Sequence, residues 1–465
     1  MTPALFSTLP LAPTQLEALA GLGYSAMTPV QAQSLPAILQ RKDVIIQAKT
    51  GSGKTAAFGI GLLHHLNPRF FGVQALVMCP TRELAEQVGE AIRQLASRMR
   101  NIKVVMLCGG KPFGPQRDSL EHGAHIVVGT PGRIQDHLQR QTLDLTGVAT
   151  FVLDEADRML DMGFAEVMAT ITAALPKKRQ TLLLSATFPE DIKKMSRAIQ
   201  RQPIEVKVDT VLTHDETVVE QLFFEIQKHE RNTALLALFE HYQPGNAMVF
   251  CNTKKQCAEV AAFLQEHDIE AAAIHGDLDQ RDRDQVLLQF TNNTSPVLVA
   301  SDVAARGLDI PALAMVVNFE LPRDGDTYVH RIGRTGRAGE TGQAFSLVTP
   351  SEAPRLRVIE DHLQINCLCD VLESLNRNPN YQLQGDMTTL QFDAGRKQKL
   401  RPGDILGALT GDAGLAGDQI GKIKILDNSS YVAIARPVLR QAMNYLAQGK
   451  IKGRSIRARR LKLHR

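Results

Sequence analysis

Two consecutive α/β domains on parallel sheets, followed by a smaller α+β domain, are the fold that this 465-residue chain predicts. Three observations carry that expectation. Short β-branched runs alternate with amphipathic helical stretches in two successive series, the rhythm of strands joined by crossover helices. The first run opens into a glycine-rich loop and the fifth ends in clustered acids. Near residue 388 the charge balance inverts, marking a third unit of different character.

The first series of runs covers residues 44–47, 75–79, 104–107, 126–128, 151–153 and 181–184. The second covers 222–226, 248–251, 271–274, 297–300, 316–319 and 344–348, and a polar, acidic stretch at 209–217 separates the two. The expected limits are therefore 1–208 for the first domain and 218–375 for the second. Residues 376–386, rich in Asn, Gln, Pro and Gly, read as a linker that lets the last domain, 388–465, fold separately. In it, strands at 389–392, 420–425, 431–435 and 455–458, with helices beginning near Pro402 and Pro437, give a β-α-β-β-α-β order compatible with an RRM-like sheet.

Composition narrows the function classes. A 44% hydrophobic and 22% charged chain is ordinary for a globular protein, and no apolar run approaches the roughly 20 residues that span a bilayer. A membrane role is not expected. Residues 1–15 lack the basic start and apolar stretch of a secretory signal, so the default compartment is the cytoplasm. The six cysteines are scattered, and Cys367 and Cys369 stand too close for a zinc motif, which leaves reduced core thiols. Residues 388–465 hold 16 Lys and Arg against 5 Asp and Glu, a net +11, whereas the rest holds 37 against 44, a net −7. Such a basic end, with eight basic and no acidic residues over 449–465, is the footprint of a polyanion binder.

The run 44–47 leads into Ala48, Lys49, Thr50, Gly51, Ser52, Gly53, Lys54 and Thr55. Glycines let backbone N–H groups approach phosphates, a helix N-terminus favours their charge, Lys54 reaches the terminal phosphates and Thr55 can ligate Mg²⁺. Ala48 stands where the general pattern has its first glycine. The run 151–153 delivers Asp154, Glu155, Ala156 and Asp157 to the C-terminal edge of a sheet, where Asp154 can hold the metal and Glu155 can polarise an attacking water.

Those four residues spell the DEAD box, and the chain resembles the DEAD-box family of RNA helicases over residues 6 to about 350. Phe6, Gly23-Tyr24 and Thr28-Pro29-Val30-Gln31 look like its adenine-reading Q motif. Pro80-Thr81-Arg82-Glu83-Leu84, Gly109-Gly110 and Thr130-Pro131-Gly132-Arg133 resemble its RNA-contact motifs, and Ser185-Ala186-Thr187 its coupling motif. In the second domain Val249-Phe250-Cys251-Asn252, Gln280 with Arg283, residues 301–309 ending in Asp309, and His330-Arg331-Ile332-Gly333-Arg334-Thr335-Gly336-Arg337 complete the set. Ser301 replaces a usual threonine and keeps its hydroxyl.

The resemblance implies two RecA-like domains, ATP and Mg²⁺ as cofactors, and RNA as partner. Arg334 and Arg337 would compensate charge on the γ-phosphate from the second domain, so the site is complete only when the domains close. Gln31 would read adenine and Phe6 would stack on it, with Asp309 on the nucleotide. His330, Ser185 and Thr187 would couple the ATP and RNA sites. Contacts to phosphate and 2′-OH carry no sequence information, so the motor would grip RNA regardless of sequence.

Residues 388–397, 401–409 and 449–454 are similar to the DbpA subfamily, whose C-terminal domain recognises a hairpin of 23S ribosomal RNA. Action on large-subunit assembly intermediates, as a monomer, is what that likeness implies. Aromatic residues for base stacking are sparse: only Phe392 and Tyr431 occupy plausible strand positions, and core packing suits both. The basic loops with Lys450, Lys452 and Arg454 are then the RNA contacts. Rival readings are a helicase of messenger decay or cold adaptation, a nucleotide-locked RNA clamp, and a DNA helicase.

Overall fold

The computed structural model describes residues 4–48, 51–208, 219–305, 308, 310, 313–336 and 342–462. It divides into two compact units, one carrying the first sheet and the other the second sheet with the C-terminal domain.

The first sheet consists of β1 (Val44–Gln47), β2 (Ala75–Met78), β3 (Val104–Leu107), β4 (Ile126–Gly129), β5 (Thr150–Leu153), β6 (Gln180–Ser185) and β7 (Ile204–Lys207), in the order β3-β4-β2-β5-β6-β1-β7. All its pairings are parallel. Alternation along each strand feeds two cores: Ile46, Val77, Val152 and Leu184 pack on one face, and Leu76, Phe151, Leu153 and Leu183 on the other. β7 was not foreseen. Only Val206 of its four residues is buried, so this edge strand lacks the apolar run that marks the others.

The second sheet comprises β8 (Val219–Glu225), β9 (Ala247–Cys251), β10 (Ala271–Ile274), β11 (Val297–Ser301), β12 (Met315–Asn318), β13 (Gly342–Val348) and β14 (Cys369–Asp370). Its order, β10-β11-β9-β12-β13-β8-β14, repeats the parallel plan. The two-residue β14 is too short to leave a periodic signal.

The third sheet is antiparallel, with β15 (Met387–Phe392), β16 (Ile420–Ile425), β17 (Ser430–Ala435) and β18 (Ala458–Arg460) in the order β16-β17-β15-β18. Helices Pro402–Gly407 and Leu439–Gln448 follow β15 and β17, and Leu390, Phe392, Ile405, Val432 and Ala442 share its core. The last strand lies beyond the expected 455–458. Ile451 and Arg454 close a tight loop on each other's backbone, with Lys452 and Gly453 at φ 53° and 75°, and this loop delays the start of β18.

Residues 376–386 are strapped to the second domain instead of forming a free linker. Arg377 pairs with Glu240 at 2.5 Å, Tyr381 donates to the Pro244 carbonyl at 2.7 Å, and buried Leu383 bridges to Ile269. Gly385 passes so close that a Cβ there would lie 2.2 Å from the Asn293 carbonyl oxygen. Beyond it, the outer face of the third sheet is covered along β15. Thr389, fully buried, receives a hydrogen bond from Asn292 at 3.1 Å and shares another with Thr294 at 2.8 Å, while Gln289 donates to the Lys462 carbonyl at 2.8 Å. Composition marks 376–386 as irregular backbone but does not encode whether that backbone is tied down. Phe392 packs in the core as expected, whereas Tyr431 pairs with Gln391 on the covered face, and both of those residues are 5% exposed.

Candidate active site and RNA-contact surfaces

β6 lies between β1 and β5, so the glycine-rich loop, the acidic residues and Ser185-Ala186-Thr187 leave three adjacent strand ends. This is the carboxyl edge where ligands of open α/β sheets bind. Gly53 caps helix Lys54–His65 at φ 91°, and a Cβ on it would meet Gln31 Nε2 at 2.6 Å, so only glycine fits. Lys54, 7% exposed, donates its ammonium to the Ala48 carbonyl, and Thr55 is half-buried behind it. Gly51 also has positive φ, at 86°. Lys49 and Thr50 lie outside the described residues.

Thr28 and Gln31 form a capping box on helix Pro29–Leu39, and both reach the phosphate loop. The Thr28 hydroxyl donates to Ser52 O at 2.9 Å and Gln31 Nε2 to Gly53 O at 3.2 Å, while Gln31 Oε1 accepts from Thr28 N at 2.9 Å. One amide hydrogen and one lone pair of Gln31 remain for a base edge. Phe6 is 4% exposed and packs in the core with Tyr24 edge-on at 6.2 Å, so Tyr24, at 37%, is the accessible ring.

Asp154 and Glu155 are both buried. Desolvation raises the Asp154 carboxyl to about 7, with adjacent Glu155 adding to the shift and Lys54 opposing it. Glu155 sits in the left-handed region at φ 52°, a strained conformation of the kind that functional sites hold in place. Burial raises the Asp157 carboxyl, but hydrogen bonds from the Thr187 and Arg158 amides outweigh it and leave it below the ordinary carboxylate range. Asp157 accepts from Ala186 N at 3.2 Å, Thr187 N at 3.0 Å and Thr187 Oγ1 at 3.1 Å, and the Ser185 hydroxyl donates to Thr187 O at 2.6 Å. The acid cluster and the coupling motif are thus one hydrogen-bonded object. Asp157 was spelled out in the motif but assigned no role.

Elsewhere on this sheet, Thr81 caps helix Arg82–Leu95 through its hydroxyl at 3.3 Å. Arg82 lies over Gly109 and Gly110, where a Cβ on Gly110 would meet its guanidinium at 1.9 Å. Thr130 and Pro131 begin helix Pro131–Gln139, and Arg133 donates to the Lys111 carbonyl at 3.0 Å. The three RNA-type motifs of the first domain are therefore brought together.

In the second unit Arg331, 1% exposed, is a hub that sequence reasoning passed over. Its guanidinium forks onto Asp302 at 2.7 and 2.8 Å, and donates to Asn318 at 3.1 Å, the Glu320 carbonyl at 2.7 Å and Asn252 at 2.9 Å, beside the Phe250 ring. A buried charge without such partners would cost several kcal/mol. Asn252, expected on RNA, also donates its amide to Leu321 O at 3.1 Å, so both ends of its side chain are engaged inside the domain. Arg283 donates to Ala304 O at 2.9 Å. His330 is half-buried and Arg334 is 6% exposed on the turn after helix Gly325–Ile332. Asp309 and Arg337 lie outside the described residues.

On the C-terminal domain two basic loops are zipped together. Lys452 donates to the Lys399 carbonyl at 3.0 Å and pairs with Asp404 at 3.2 Å, and Arg454 donates to Gln398 O at 3.5 Å. Lys450 belongs to the same exposed knuckle as Arg396, Lys397 and Lys399.

No helix among the described residues is long and apolar enough to cross a membrane. Family models described as DEAD/DEAH box helicase, Helicase conserved C-terminal domain and DbpA RNA binding domain match residues 28–195, 230–339 and 389–460. The ATP-dependent RNA helicase DbpA of Escherichia coli is 51% identical over 98% of this chain and 99% of its own, and that of Bacillus subtilis is 37% identical over 95% and 96%. Among solved structures, S. cerevisiae Dbp5 bound to RNA and ADP BeF3 superposes with a TM-score of 0.73 at 30% identity, over 79% of this chain and 96% of that one. With its two parallel sheets, its DEAD box joined to the coupling motif and a relative matched from end to end, the chain belongs to the DbpA family of DEAD-box ATP-dependent RNA helicases.

Proposed function

We propose that this helicase couples Mg²⁺–ATP hydrolysis to local RNA unwinding on a hairpin of 23S ribosomal RNA, as a cytoplasmic monomer acting on large-subunit assembly intermediates. The nucleotide would lie on the loop 48–55, with Gln31 and Tyr24 at its base, Asp309 as a further contact, and Lys54 leaving the Ala48 carbonyl for the phosphates. The desolvated Asp154 carboxylate, within the field of Lys54, suits a hard dication, so Asp154 and Thr55 would hold Mg²⁺, which neutralises charge on the phosphates. Glu155 would orient the attacking water. Arg334 and Arg337 belong to the second domain, so the reaction requires both domains. Thr81, Arg82, Gly110, Thr130, Arg133 and Arg283 would hold the RNA backbone.

The raised Asp154 pKa has a direct consequence. Below about pH 7 the empty site holds a proton on Asp154 that the bound cation must displace, and above it the carboxylate is already ionised. Mg²⁺–ATP affinity is therefore expected to rise with pH up to about 7 and then level. Calorimetry in buffers of different ionisation enthalpy should show nearly one proton released at pH 6 and almost none at pH 8.5. Equal release at both would remove Asp154 as the linked group.

Support for the ribosomal address comes from one observation: two basic loops of that domain are zipped into one exposed knuckle, Lys452 donating to the Lys399 carbonyl and Arg454 to that of Gln398. The double variant Lys452→Glu, Arg454→Glu of the full chain should lose its preference for the 23S hairpin over scrambled RNA, while long generic RNA still stimulates ATP turnover. Hairpin affinity in the parent should fall with salt at a slope of about −0.7 per phosphate contact. Unchanged preference in the variant would place the specificity elsewhere.

A further inference from the structure

The loop carrying Gly109 and Gly110 is held by a residue outside every motif named above. Gln116, 7% exposed on helix Phe113–Glu121, turns its amide nitrogen back on three points that flank the two glycines: the carbonyls of Cys108 at 3.0 Å, Pro112 at 3.3 Å and Lys111 at 3.5 Å. Its own carbonyl oxygen is buried with no hydrogen-bond partner among the described residues. Leaving that acceptor unmet is unfavourable, so the side chain sits there for its two N–H groups. The Lys111 carbonyl also accepts from Arg133, and Arg82 lies across both glycines. One carbonyl thus joins Gln116 to Arg133, and one loop joins both to Arg82.

Phe113, three residues before Gln116, braces the same corner. Its ring stacks on buried His137 at 4.1 Å, and the guanidiniums of Arg140 and Arg133 stand 4.5 and 5.9 Å from its centroid. His137 donates Nδ1–H to Thr142 at 2.8 Å, since the Thr142 hydroxyl is itself spent on the His137 carbonyl. Burial lowers its pKa to about 4, and the neighbouring Arg133 adds to the shift, so the ring is neutral at physiological pH. It adds no cation of its own to the corner that Arg133 and Arg140 share.

We infer that Gln116 is a positioning residue of the RNA grip: by clamping the carbonyls of the Gly109–Gly110 loop it presents a preformed cradle for the phosphate backbone, with Arg82 and Arg133 fixed on either side. This rests on the reading that Arg82, Gly110 and Arg133 contact RNA. A preordered loop spares RNA the cost of ordering it on binding. The effect should therefore appear in RNA affinity and not in chemistry.

The experiment measures ATP turnover against the concentration of a single-stranded generic RNA for the full-length parent, Gln116→Met, Gln116→Glu and Arg133→Ala. Gln116→Met keeps the volume and loses the donors, and should raise half-saturation by about five- to tenfold, the worth of about one hydrogen bond. Gln116→Glu sets a carboxylate against three carbonyls and should raise it further. Turnover at saturating RNA and the KM for ATP should stay near the parent values. Arg133→Ala should raise half-saturation on its own. If it does so while both folded Gln116 variants match the parent, the clamp is refuted and the grip stands. If Arg133→Ala also matches the parent, the RNA-contact reading itself fails. A fall in saturated turnover, or loss of the cooperative thermal transition in both Gln116 variants, would make Gln116 a structural residue and overturn the proposal.

Discussion

Glu155→Gln is expected to lower RNA-stimulated ATP turnover by about 10²- to 10⁴-fold, the range associated with a positioned acid–base group, while ATP-dependent RNA binding persists. The amide preserves the volume of a side chain that is 9% exposed and leaves the Asp157 bonds to Ala186 and Thr187 intact. Lys54, Thr55 and Asp154 remain to receive the nucleotide. What disappears is the carboxylate proposed to orient water, so the domains should close and stay closed. Phosphate release and RNA retention, measured on one preparation, separate the two effects. Normal turnover would remove Glu155 from the chemistry.

Arg337→Ala should cost more, about 10³- to 10⁵-fold in turnover, which is the contribution of an arginine supplied to a transferring phosphoryl group. ADP affinity should barely change, because the guanidinium is needed where charge spreads over the γ-phosphoryl oxygens and ADP has none. Parallel titrations with ADP and with a non-hydrolysable ATP analogue check this. A collapse of ADP affinity would make Arg337 a ground-state ligand instead. Arg331 offers an instructive contrast six residues earlier. It is spent wholly within its own domain, on Asp302, Asn318, Glu320 and Asn252, and so serves as an anchor for the helix that leads to Arg334.

Parallel strands buried on both faces read as unbroken apolar runs, and for that reason the interior strands of both large sheets were legible within a few residues. β7 and β14 were not, the first because only Val206 is buried and the second because it has two residues. The phosphate loop and the acid cluster were legible because their chemistry demands glycines and carboxylates at fixed spacing. Roles that depend on three-dimensional neighbours were hidden. Nothing local distinguishes Gln116 from any helical glutamine, and nothing local shows that the amide of Asn252, expected on RNA, also ties Arg331 to Leu321. The fate of residues 376–386 was hidden for the same reason, since Tyr381 and Leu383 are anchors only when Pro244 and Ile269 stand opposite.

A domain on a loose leash would sample a volume set by the length of its tether, and its local concentration at the motor would decay as the tether grew. Thr389 seated on Asn292 and Thr294, with the chain before it strapped down, abolishes the leash. The basic knuckle and the second sheet then turn as one lever. An RNA helix held by the knuckle, as proposed, would then keep a fixed placement relative to that sheet, and a duplex to be opened would have to stand at a set offset from it. Under the proposed RNA contacts, substrate choice would then depend on the spacing between two helices of one folded RNA as well as on recognition of one of them.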